Sequence, residues 1–229
     1  MSRCLLLRDP VGTPNTPQIA NTGSAWPSFA VAYGAAHEGN RACIFNTCAV
    51  GGTKLFNVSQ WDPVGAATNL IKTVIDARAA NRLRLWDELR FTIGYDIVLW
   101  HQGESDRDAM SGAYANKLQR LAQYLINNGF DAFCFYEIAE RTKDPEPTPL
   151  LSNHNNVRKA QRDAAVWFRE KNIPGFLIGN LSHFNDRGFV SLVGNDGLHY
   201  LQTGYNDMGK QGGTNTANIV KQLDLEKLL

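Results

Sequence analysis

The chain alternates short apolar runs with longer stretches of helical spacing, and that alternation leaves few folds open to it. Tyr95-Asp96-Ile97-Val98-Leu99, Ala132 to Ile138 and Gly175 to Gly179 have the length and residue types of buried strands. Between them, Ala113 to Asn128 puts Leu118, Leu121, Ala122 and Leu125 on one helical face and is followed by Gly129, and Asn155 to Lys171 is a further helix. Upstream, Trp26 to Ala36 predicts a helix with Pro27 in its first turn, Phe29, Ala30, Tyr33 and Gly34 on one face and Gly39 as its stop. Arg41 to Val50 predicts a strand, and Ala66 to Ala80 a helix with Leu70, Ile71, Val74 and Ile75 on one side. Cys4-Leu5-Leu6-Leu7 reads as a short first strand, and residues 10 to 25 as a loop rich in Pro, Gly, Thr and Asn. The three prolines between Lys143 and Pro149 mark another loop, and a closing helix starts near Thr203. Strands separated by helices of a dozen residues make βαβ units and a parallel sheet. The expectation is a three-layer α/β/α domain over residues 1–229, with four or five parallel strands.

Composition narrows the partners. Of 229 residues, 43% are hydrophobic and 20% charged, enough for a full core in a globular chain. A net charge of +1 without basic or acidic blocks argues against nucleic acid or an anionic membrane surface as the main partner. No apolar run is long enough to span a bilayer, and the opening residues do not form a signal peptide, so a cytoplasmic location is the default expectation. Cys4, Cys43, Cys48 and Cys134 lack CxxC spacing, and Cys43 and Cys134, within apolar runs, read as buried free thiols. The five histidines never fall in an H-x-x-x-H or H-E-x-x-H pattern, so no metal and no cofactor is expected; His183 and Asp186 joining His199 is the one alternative.

Three short segments can carry chemistry. Trp100-His101-Gln102-Gly103-Glu104 ends the Tyr95 strand in hydrogen-bonding groups, where ligands of open α/β sheets bind. Gln102 offers an amide that can donate to an oxyanion, and Gly52, in Gly51-Gly52-Thr53, a backbone N–H for the same purpose. Asp196-Gly197-Leu198-His199 supplies a base, His199, and a carboxylate to set its tautomer, Asp196. Each segment alone is also an ordinary polar turn. Trp26, Trp86 and Trp167 read as core, while Trp61 suits either core packing or stacking on a sugar.

Taken together, in this order and spacing, the segments resemble the SGNH hydrolases, and more closely their carbohydrate acetylesterase branch, which includes sialate O-acetylesterases. Val157-Arg158-Lys159-Ala160-Gln161 and Phe29-Ala30 are similar to further segments of that branch. The resemblance covers about residues 24 to 212 and implies a flavodoxin-like fold and hydrolysis of acetyl esters on carbohydrates by a serine-esterase route. It implies His199 as general base, Asp196 as its orienter, Gly52 and Gln102 as oxyanion donors, and Glu104 as a second orienter or a sugar-hydroxyl partner.

One element of the family is missing. A serine nucleophile belongs just after the first strand, in Gly-Asp-Ser or Gly-Gln-Ser-Asn, and here Arg8-Asp9-Pro10 follows Leu7. Two explanations stand: the sequence starts downstream of the nucleophile, or the nucleophile is lost. Ser24 follows a glycine but lacks a strand before it and suits an N-terminal cap for the Trp26 helix; Ser105 reads as a loop hydroxyl. The rival to an esterase is therefore a carbohydrate-binding or structural module on the same scaffold. Neither the oligomeric state nor the particular sugar is legible.

Overall fold

The computed structural model describes residues 10–13, 16–19, 23–140, 149–190 and 199–227. The expected first strand, Cys4 to Leu7, lies outside them, as does Asp196. The described elements, in chain order, are β1 (Pro10–Thr13), β2 (Thr16–Ile19), α1 (Trp26–Ala36), α2 (Leu70–Leu83), β3 (Ile97–Trp100), α3 (Ser111–Asn127), β4 (Ala132–Glu137), α4 (Pro149–Glu170), β5 (Gly175–Asn180) and α5 (Gln202–Glu226). The fold is α/β, with a three-stranded parallel sheet in the order β3-β4-β5 and five α-helices among the described residues. The chain divides into two compact units. One holds residues 1–51, 139–143 and 178–229; the other holds 52–138 and 144–177.

The unit of residues 52–138 and 144–177 carries the main core. β4 is the middle strand, and every residue from Ala132 to Glu137 is buried, as a strand flanked on both sides requires. It pairs with β3 in parallel, Ile97 opposite Ala132 and Trp100 opposite Phe135. α3 and α4 pack on β4 and on each other. Leu118, Leu121, Ala122 and Leu125 of α3 are all buried, so the predicted face is the packed one. Val157, Ala160, Ala164 and Phe168 line the facing side of α4. Trp61 is buried, donates its indole N–H to Thr53 Oγ1 at 2.8 Å and meets Trp100 edge to face, which settles it as core.

In the other unit, α1 lies against α5, and glycine makes the approach possible. A Cβ at Gly209 would stand 2.1 Å from the Ala25 carbonyl oxygen, and one at Gly213 would stand 2.3 Å from that of Phe29. Backbone touches backbone where the helices cross. Phe29 and Tyr33, two of the four α1 residues expected to share a face, are its buried ones.

Four expectations need correction. Arg41 to Val50 forms no strand. The alternation that suggested one is real, since Ala42, Ile44 and Asn46 are exposed while Cys43 and Phe45 are half-buried. Its inward side is held by rings instead of a ladder: Phe45 stacks on Trp26 at 5.2 Å and meets Phe29 edge-on at 5.5 Å. The stretch read as a loop from residue 10 contains an antiparallel hairpin, β1 with β2, Pro10 opposite Ile19 and Thr13 opposite Thr16. Its prolines hid it, although a two-stranded ribbon is all edge and tolerates them. Trp86 is 60% exposed, on a π-helical turn (Arg84–Glu88) that continues α2; it is not core. α4 starts at Pro149, six residues before the expected Asn155. Trp26 and Trp167 are half-buried, and Trp167 packs against the core.

Gly209→Ala and Gly213→Ala should each destabilise the chain, by about 1–3 kcal/mol of overpacking. In a chain of this size that lowers Tm by roughly 5 °C, even after the helix propensity gained. Gly112→Ala in α3, where a Cβ meets nothing within 4 Å, should hold or raise Tm. Thermal unfolding by circular dichroism separates the three, and equal shifts would refute the close crossing.

Candidate active site

The end of β3 is built around one glutamine. Strand β3 stops at Trp100, and Gly103 turns the chain at φ 153°, where L residues are strained. A Cβ there would also lie 2.7 Å from Val157 Cγ1. The turn leads into a single 3-10 turn, Glu104–Asp106, which brings Asp106 back under Gln102. Asp106 Oδ2 accepts from the Leu55 N–H at 2.7 Å and from Gln102 Nε2 at 2.5 Å. The second hydrogen of Gln102 Nε2 goes to the Thr53 carbonyl at 3.2 Å. On the other side, the Tyr114 hydroxyl lies 3.0 Å from Gln102 Oε1 and 2.8 Å from the Gln102 carbonyl. Burial pushes the Tyr114 hydroxyl well above its ordinary range, so it stays a donor. A donor at one end and a carboxylate at the other admit one orientation of the amide, oxygen toward Tyr114 and nitrogen toward Asp106.

Gln161 completes the frame from α4. Fully buried, it donates from Nε2 to the Gln102 carbonyl at 3.0 Å and accepts at Oε1 from the Ile138 N–H at 3.0 Å. It joins the end of β4 to the loop after β3. Beside it, Glu137 is completely buried and accepts from Arg158 Nε at 3.0 Å and from Arg162.

The structure thus ties the Gly51-Gly52-Thr53 segment to Gln102, through the Thr53 carbonyl. Gly52 itself is exposed, at φ 73° in a turn, with open space where a Cβ would be. It follows the irregular stretch 41–50, where a strand was expected. Glu104 faces His101, with Oε1 3.5 Å from Nε2, and His101 meets Tyr136 edge-on.

His199 belongs to the other unit and is exposed. Its neighbour Tyr200 is buried, pairs with Val190 in an antiparallel bridge and accepts the Ala139 N–H on its hydroxyl at 3.2 Å. Those contacts anchor the chain one residue from His199. In the same unit Ser24 is buried, its Oγ accepts the Trp26 N–H at 3.2 Å, and its backbone bonds the Gln202 amide in both directions. Ser24 thus satisfies the first N–H of α1 from one residue before the N-cap position, which Ala25 holds. His183, which sequence grouped with Asp186, instead bonds Asp207 Oδ2 at 3.1 Å, and Gln211 holds the same oxygen at 2.6 Å. Burial pushes the Cys43 thiol up to about 12, so it is protonated at neutral pH. Among the described residues no three His, Cys, Asp or Glu side chains are grouped to hold a metal ion. None of the described helices is long and apolar enough to cross a membrane.

Asp106, Tyr114 and Gln161 were not singled out from the sequence as site residues. Asp106 stands four residues after Gln102, a signal that becomes readable only once the loop is known to turn back.

Burial holds the Asp106 carboxyl above the usual carboxylate range, although the Leu55, Gln102 and Phe56 donors and nearby Lys54 pull it down. With a raised folded-state pKa, the folded chain binds more protons than the unfolded one between the ordinary Asp value and the raised one. Its contribution to stability therefore falls as pH rises through that window. Asp106→Asn cannot ionise and keeps an oxygen for the Leu55 N–H. Its stability relative to wild type should rise from about pH 3.5 upward and then level off. Urea unfolding of both proteins across that range measures it, and a flat or falling difference would count against the buried carboxylate.

No curated protein and no solved structure matches the chain. A family model does, over residues 8–166, a stretch that contains Gly52, Gln102, Glu104, Asp106 and Gln161 and ends before His199. The chain belongs to the family described as carbohydrate esterase, sialic acid-specific acetylesterase.

Proposed function

We propose that the chain serves hydrolysis of acetyl esters on a carbohydrate, as one SGNH-like α/β/α domain over residues 1–229 with four or five strands. Family membership supports the reaction class, and the Gln102 amide, turned nitrogen-first toward the Gly52-Thr53 loop, is the observation that carries the mechanism.

In this reading His199 takes the proton of the attacking hydroxyl, and Asp196 holds the imidazole in the required tautomer. As the carbonyl carbon becomes tetrahedral, its oxygen takes up negative charge, and the Gly52 N–H and Gln102 Nε2 donate to it. Gln102 has the means to do so by exchanging its longer bond, to the Thr53 carbonyl, for the oxyanion while keeping the shorter one to Asp106. His199 then returns the proton to the leaving sugar oxygen, and the acetyl group left on the attacking oxygen is released by water as acetate. Glu104, paired with His101, supplies a carboxylate for a sugar hydroxyl. No cofactor takes part, and the balanced charge fits a sugar ligand rather than nucleic acid or membrane. Ser24, whose Oγ accepts the Trp26 N–H, is read as a helix cap in preference to a nucleophile.

The serine-esterase route needs an activated hydroxyl beside His199, and no family-type serine stands among these groups. Binding and an oxyanion hole alone sustain about 10³–10⁴-fold over the uncatalysed rate. The chain should therefore cleave an aryl acetate slowly. Ser24→Ala should leave that turnover. Joining on a segment with a strand and Gly-x-Ser should raise it by orders of magnitude, and His199→Ala should remove that gain. Turnover lost in Ser24→Ala, or a gain indifferent to His199→Ala, overturns the assignment. Binding of acetylated sugars without acetate release would support the rival, a binding module.

A further inference from the structure

We propose that Asp106 is a positioning residue that sets the polarity of the oxyanion site. Through one carboxylate oxygen it fixes the Gln102 amide with its nitrogen toward the loop that follows Gly52 and ties it to that loop's backbone. The inference rests on the reading above, in which Gly52 and Gln102 are the two donors.

The argument starts from what a simple tether needs. To hold the loop after Gly52, one bond from Asp106 to the Leu55 N–H at 2.7 Å suffices. The same oxygen takes a second hydrogen, from Gln102 Nε2 at 2.5 Å. That bond selects between the two faces of an amide. With its nitrogen toward Asp106, Gln102 also reaches the Thr53 carbonyl at 3.2 Å, one residue from Gly52. Rotated by half a turn, it would present Oε1 to Asp106 and to that carbonyl, acceptor against acceptor, and would repel an oxyanion. Tyr114 favours the same orientation from the opposite end, and Gln161 holds the Gln102 carbonyl, so Asp106 acts on a side chain whose backbone is already fixed. The loop is pinned on its far side as well, by Trp61 on Thr53 Oγ1 at 2.8 Å and Gln60 on the Lys54 N–H at 2.7 Å. Asp106 is 4% exposed, so its place is an interior one, reached because Gly103 turns the chain back.

The test compares full-length wild type, Asp106→Asn and Asp106→Ala on an aryl acetate, with amide hydrogen exchange on each. Losing a donor's orientation should lower kcat about 10²-fold in Asp106→Ala and change KM by less than about threefold. Asp106→Asn keeps one oxygen for both hydrogens and should recover most of that loss. Exchange at Thr53 to Leu55 should quicken in the alanine variant while α3 stays as protected as in wild type. A kcat within about threefold of wild type in Asp106→Ala overturns the proposal, as does a loss that comes with faster exchange throughout α3, which marks unfolding. If wild type itself releases no acetate, the esterase reading fails separately. The polarity claim is then decided by the Gln102 side-chain amide signals in ¹⁵N NMR. They should move as Asp106 titrates in wild type and stay still in Asp106→Asn; signals that do not move in wild type refute it.

Discussion

A buried carboxylate satisfied by amides holds the end of β3 together. Asp106 receives one backbone N–H and one side-chain amide on a single oxygen. Hydrogen bonds from neutral donors to a charged acceptor are worth more than neutral pairs, and leaving such a group unpaired in the interior costs several kcal/mol. Each partner of Asp106 is therefore held in place by the penalty of releasing it. From there the order spreads: Gln102 to Thr53, Tyr114 to Gln102, Gln161 to Gln102 and on to Ile138 at the end of β4. Three helical or loop segments and two strand ends meet in one chain of hydrogen bonds, and none of its members is free to turn without orphaning a neighbour.

A contrasting solution stands a few residues away. Glu137, at the end of β4, is also buried, but arginines neutralise it: Arg158, itself largely buried, and Arg162, which reaches solvent. A buried ion pair gains little net stability over apolar packing, because desolvation offsets much of the attraction. It does fix how α4 sits on β4, since Arg158 and Arg162 lie one turn apart on the helix. Gln161, between them in sequence, then faces the loop after β3. The segment Val157 to Gln161 thus performs two tasks within one helical turn, docking the helix with Arg158 and framing the site with Gln161.

How far this was legible depends on the range of each interaction. β3, β4, β5 and α3 follow from local apolar spacing, and the structure has them within a few residues of the expected bounds. Burial of Leu118, Leu121, Ala122 and Leu125 follows from the same periodicity. Arg41 to Val50 shows the limit of that logic. Alternation reports which side of a chain faces inward, and Phe45 satisfies it by stacking on Trp26 without any ladder partner. Trp86 shows another, because a tryptophan's preference for burial says nothing about a π-turn that carries it outward. The Gln102 segment was found because its residue types are unusual together. Asp106 was not, because its role needs Gly103 at φ 153°, a torsion that composition does not encode.

That torsion restricts what can stand at Gly103. At Gly103 two demands coincide: a backbone angle that side chains resist, and a space already filled by Val157, Gln161 and Ile138. Either alone leaves room for compensation, by a shifted side chain or a strained residue that the surroundings tolerate. Together they leave none, because relaxing the angle moves Asp106 away from Leu55, and opening the space moves Gln161 away from the Gln102 carbonyl. At Gly52 the angle is also left-handed, yet a Cβ there would meet nothing. The openness at Gly52 and the crowding at Gly103 fit the two parts proposed for them. One glycine leaves a backbone N–H accessible, and the other closes the frame that keeps Gln102 turned toward it.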